Sequence, residues 1–173
     1  MHVLYEFYGP RAMAIVALTV WRLCSGGEAQ SQPTSGTVLG AGNPMLAEGS
    51  RALEEGRIAE GIRLTLAGLK DSSDPLETAA AHSNLCGGYA LLREWEDALI
   101  HCNTAIALDR TNWHSFNNRA AVFAGRGEYA LALADLRSGL ELAPQSSTLL
   151  RSLSAVEHNQ KVMMKHDRAF LRS

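Results

Sequence analysis

The chain has 173 residues, 46% hydrophobic and 20% charged, which is enough apolar material for a core. Its formal net charge of -2 excludes a nucleic-acid binder that works by bulk neutralisation of phosphates, because that mode needs a basic surface. Aromatic residues make up only 6%, and the frequent small residues suit closely packed helices better than a sheet.

Ala12 to Trp21 is apolar apart from Thr19, and Arg22 ends the run. A bilayer span takes about 20 residues, so this stretch is too short and no stable membrane span is expected. It matches the apolar core of a secretory signal peptide, with Gly27-Glu28-Ala29 as a small-x-small cleavage site. On that reading residues 1–29 are a signal peptide and the protein is periplasmic or secreted. Two features pull the other way. Arg11 alone supplies positive charge ahead of the run, and a start at Met13 would spoil the signal. The alternative is therefore a cytoplasmic adaptor or scaffold whose N-terminus is uncleaved or begins later. The bulky Trp21-Arg22-Leu23 argues against lipidation at Cys24. Residues 30–43, rich in Ser, Thr, Gly and Pro, read as a flexible linker.

From Pro44 the pattern turns helical. Met45, Leu46, Leu53, Ile58, Ile62, Leu66 and Leu69 recur at helical spacing, with Gly56-Arg57-Ile58 as a turn. Asp71-Ser72-Ser73-Asp74-Pro75 then breaks the run. A second unit follows, with Leu85, Tyr89 and Leu92 expected inward on its first helix. Ala98, Leu99, Cys102, Ala105, Ile106 and Leu108 are expected inward on its second. A shift of 34 residues lays this unit on the next one: Asn84 falls on Asn118, Tyr89 on Phe123, Trp95 on Tyr129, Ala98 on Ala132 and Ile106 on Leu140. A fixed period of that length marks a helical repeat array. The units run over about 44–75, 76–110 and 111–144. Leu149, Leu150, Leu153, Val156, Gln160 and Met163 then form one stripe on a last helix, over 146–173, which covers the exposed end of the array; the alternative is that Met163, Met164 and Phe170 are a soft docking stripe for a partner.

The order of residue types closely resembles the tetratricopeptide repeat (TPR), strongly in the second and third units and weakly in the first. The resemblance implies an all-α, helical-hairpin solenoid of about three repeats over 44–145, plus the C-terminal capping helix. It also implies a non-catalytic module that binds a peptide or protein partner in a concave groove lined by the first helix of each pair. Ser83, Asn84, Gly87, Leu91, His114, Asn117, Asn118 and Ala121 should then face the groove. An amide both donates and accepts, so Asn84 and Asn118 suit a bound peptide's backbone; the other reading is that they brace the next repeat. Some members of the family grip a chaperone's C-terminal carboxylate with Lys, Arg and Asn. Here only Asn84 matches that set, and the basic places hold Leu46, His114 and Asn118. Arg119 departs from the family's usual Leu and is expected at the hairpin edge with its charge in water.

The second hairpin turns near Glu94, midway between Cys86 and Cys102, so antiparallel helices should set the two side by side. In an oxidising compartment they would be bridged; in a reducing one they would be buried thiols acting as small hydrophobes. The six His share no metal-binding spacing and no phosphate-binding Gly loop follows a strand. No metal, cofactor or catalytic residue is expected.

Overall fold

The computed structural model describes residues 42–170, with side chains through Lys165. The expected signal peptide and nearly all of the expected linker lie outside the described residues, as does Cys24. Among the described residues seven helices follow one another: α1 Pro44–Glu54, α2 Ile58–Asp71, α3 Pro75–Leu92, α4 Trp95–Leu108, α5 Trp113–Gly125, α6 Tyr129–Leu142 and α7 Ser147–Phe170. No strand occurs among the described residues.

The first helix of each pair starts on a residue that can accept from its orphan amides. Asn43 accepts from the Met45 amide, Asp74 from that of Leu76 and Asn112 from that of His114. Pro44 and Pro75 stand in the first turn of α1 and α3, where a missing N–H costs nothing. Short turns fold α1 on α2, α3 on α4 and α5 on α6. Gly56 and Gly127 make the first and third turns at φ 81° and 79°. The second turn uses Arg93 at φ 61°, the one non-glycine with positive φ among the described residues.

The hairpins stack in chain order. α2 packs on α3, α4 on α5 and α6 on α7, while α1, α3 and α5 also contact one another in series. The first helices thus lie side by side along one face. Close approach is written into small residues. A Cβ added at Gly49 would stand 2.4 Å from Thr65 Oγ1, so only glycine lets α1 seat against α2 at this separation. Ala98 and Ala105 are fully buried for the same reason.

The core runs through the stack as three clusters. Leu53, Ile62 and Leu85 tie the first hairpin to α3. Cys86, Ala98, Cys102 and Val122 tie the second hairpin to α5. Ala120, Ala132, Leu133, Leu136, Leu149 and Val156 join the third hairpin to α7.

Several inward expectations are corrected. Leu92 and Leu108 are exposed, because each ends its helix where the neighbouring hairpin no longer covers it. Leu150 and Met163 are exposed too. α7 buries Thr148, Leu149, Ser152 and Val156 instead, a narrow side confined to its first half. Leu150 sits one residue, about 100°, round the helix from Leu149, on a side left largely to solvent.

Candidate functional site

The face built from α1, α3 and α5 holds the residues expected in a groove, but they do not share one environment. Asn84, Leu91, Asn118 and Ala121 are half-buried, and His114 is exposed with its ring stacked on Trp113, centroids 3.6 Å apart. Ser83, Gly87 and Asn117 are buried and do not present a surface. The close contact between successive first helices explains the correction: positions that flank the α3–α5 seam are covered by the neighbouring helix. The Asn117 Oδ1 and the Ser115 Oγ are buried with no hydrogen-bond partner.

The two equivalent asparagines do different work. Asn118 Nδ2 donates to the Ser83 carbonyl at 3.1 Å and lies 3.3 Å from the Ser83 Oγ. Its amide braces α5 against α3. The Asn84 side chain makes no hydrogen bond to another described residue, so its amide is left to solvent or to a ligand. On the first hairpin the matching position is Ala47 and offers no amide. Leu46 is buried against Gly68 rather than turned outward.

Cys86 and Cys102 lie across the second hairpin with Cα atoms 5.0 Å apart and are joined as a disulfide, both fully buried. The bridge links the two helices of the second hairpin.

Arg119 is not at an edge in water. Its Nε and Nη2 donate to the two carboxylate oxygens of Asp135 at 2.8 Å each, and Nη1 donates to Asn103 Oδ1 at 2.7 Å. The guanidinium also stands 5.9 Å from the centre of the Phe123 ring. The carboxylate on the facing helix drew it inward: Asp135 is buried, and a bidentate pair satisfies both oxygens. Sequence reasoning missed this partner, although Asp135 lies 16 residues on, the same spacing that separates Cys86 from Cys102. It also missed the contact between His82 and His101, whose rings meet across the second hairpin. Among the described residues no three His, Cys, Asp or Glu converge as a metal site, and no helix is long and apolar enough to cross a membrane.

No protein-family model matches the chain. Sperm-associated antigen 1 of Mus musculus is 31% identical over 90 residues, which cover 52% of this chain and 10% of that protein. The first TPR domain of human RPAP3 superposes with a TM-score of 0.61 at 21% identity, covering 70% of this chain and 93% of that domain. The first TPR of Spaghetti (RPAP3), solved with the HSP90 peptide SRMEEVD, superposes at 0.59 with 23% identity, covering 66% and 91%. These likenesses show a common fold of stacked helical hairpins.

Proposed function

We propose that this chain, a tetratricopeptide-repeat solenoid by fold, is a non-catalytic interaction module that holds an extended peptide of a partner protein along the α1–α3–α5 face. The observation that carries the reading is the half-buried Asn84 amide, which no described residue satisfies. An amide held on a rigid helix can donate to and accept from a peptide backbone, and a preformed surface pays little ordering entropy on association. A neighbour of the same fold is solved with a peptide bound, which supports peptide binding by this fold. That peptide is acidic, but a grip on a terminal carboxylate is disfavoured here. Leu46 is apolar and buried, Asn118 is committed to Ser83, and His114, though its surface is exposed, is pushed away from its charged form by burial of the ring.

Selection from a random-peptide display library tests the reading. The wild-type protein enriches extended peptides, and Asn84→Ala weakens their binding by roughly 3- to 15-fold, one or two hydrogen bonds' worth, with an unchanged unfolding midpoint. Enrichment that is indifferent to Asn84→Ala overturns the face assignment.

The same reading puts the module outside the cytoplasm, periplasmic or secreted. Support comes from the apposition of Cys86 and Cys102, since bridges persist in oxidising compartments. Intact mass of protein from its own host, without reductant, is expected to begin near Gln30 and to be two hydrogens short. A full-length mass with free thiols returns the module to the cytoplasm and leaves the peptide reading standing.

A further inference from the structure

His82 on α3 and His101 on α4 face each other Nδ1 to Nδ1 at 2.8 Å, with ring centroids 5.0 Å apart. A contact that short between two ring nitrogens is a hydrogen bond, so one Nδ1 must carry a proton and the other must offer its lone pair. Tyr89, two turns beyond His82 on α3, stacks on His101 with ring centroids 5.4 Å apart and an interplanar angle of 2°. The His101 ring therefore contacts both His82 and Tyr89.

We infer that His82 and His101 form a proton-operated latch across the second hairpin, closed while the pair carries at most one positive charge and broken when both rings are charged. A neutral pair keeps the bond with one ring in each tautomer. A singly charged pair keeps it as a charge-assisted bond. A doubly charged pair has a proton on each Nδ1 and two like charges at contact.

The surroundings set the pair to stay closed at neutral pH. Both rings are half-buried, and burial pushes both away from the charged form. On His101 the charge of His82 adds to this, and Asp97 acts in the opposite direction from one turn earlier on α4. The charged groups that act on the pair, the two rings themselves and Asp97, belong to α3 and α4. The folded state thus holds both groups below the ordinary histidine value, and the unfolded chain binds more protons. The stabilisation is fully present above about pH 6.5 and is lost as pH falls below it.

The latch sits beside the seam between hairpins. His82 is followed directly by Ser83, whose carbonyl and hydroxyl take the Asn118 amide. The Cys86–Cys102 bridge, one turn further along α3, keeps the hairpin closed when the latch opens. Release is felt at the α3–α5 seam rather than as unfolding of the hairpin.

Thermal unfolding of the full, disulfide-intact chain at pH 7.5 and pH 5.0 tests the latch. Wild type is expected to lose about 4 °C more on acidification than His101→Gln, which cannot charge. His158→Gln, an exposed histidine on α7, should lose as much as wild type. If His101→Gln loses as much as wild type, the latch is wrong. A second readout does not depend on that variant folding. Imidazole nitrogen shifts at pH 7.5 should report one of the two rings protonated at Nδ1 and the other at Nε2. Both rings protonated only at Nε2 would sink the proposal.

Discussion

The second and third hairpins share one register, yet different chemistry closes them. Where α3 and α4 bring Cys86 to Cys102, the matching positions of α5 and α6 are Ala120 and Leu136, both in one apolar cluster with Leu133. Where the second hairpin pairs His82 with His101, the third puts Asp135 at the place of His101 and reaches it from Arg119, at the place of Leu85. The second hairpin turns on Arg93 and the third on Gly127. The repeat therefore specifies where helices must meet and how small the residues at the seam must be. It leaves open which interaction fills each meeting point. One hairpin is held by a covalent bond and a pair of titrating rings; its neighbour is held by apolar volume and a bidentate ion pair.

The largest expected effect breaks the ion pair. Asp135→Ala leaves the Arg119 guanidinium largely buried without its partner and should cost about 3–5 kcal/mol in urea unfolding. Arg119→Leu combined with Asp135→Ala gives the third hairpin the leucine of the second, and should recover most of that loss. A single-variant cost under about 1 kcal/mol would mean that the pair behaves as a surface bridge.

The next effect concerns the bridge. It closes 16 residues, a loop for which unfolded-state entropy gives roughly 3 kcal/mol. Replacing both cysteines by serine should cost at least that. Cys86→Ala with Cys102→Leu borrows the third hairpin's pair and should lose less. Equal losses in the two double variants would show that apolar volume cannot stand in for the bond at this seam.

The smallest effect compares the turns. Gly127→Ala should cost about 1 kcal/mol, because a Cβ is strained at φ 79°. Arg93→Gly should gain roughly 0.5 kcal/mol, the relief of left-handed strain less the entropy of a glycine. A loss at Arg93→Gly would mean that the arginine side chain supports the second turn.

What was legible in the sequence followed from periodicity. Ala98 on Ala132 and Tyr89 on Phe123 gave the hairpins, and the turn midway between Cys86 and Cys102 gave their apposition. The face was legible only in part. Asn84 and Asn118 are indistinguishable by register, but one is unpartnered and the other braces Ser83. Which positions on α3 and α5 stay accessible depends on how closely the two helices approach, and no periodicity encodes that distance. Arg119 was misplaced because its partner is on another helix, and Leu150 because a stripe drawn on α7 alone ignores how little of that helix is covered.

By itself the sequence determined the helices, their turns and their pairing, because capping residues, glycines and a 34-residue period are local properties of the chain. Tertiary structure decided the burial of Ser83, Gly87 and Asn117, the inward turn of Arg119 and the meeting of His82 with His101. Each of those depends on a group brought from another helix, and only packing sets which groups meet and which are left to water.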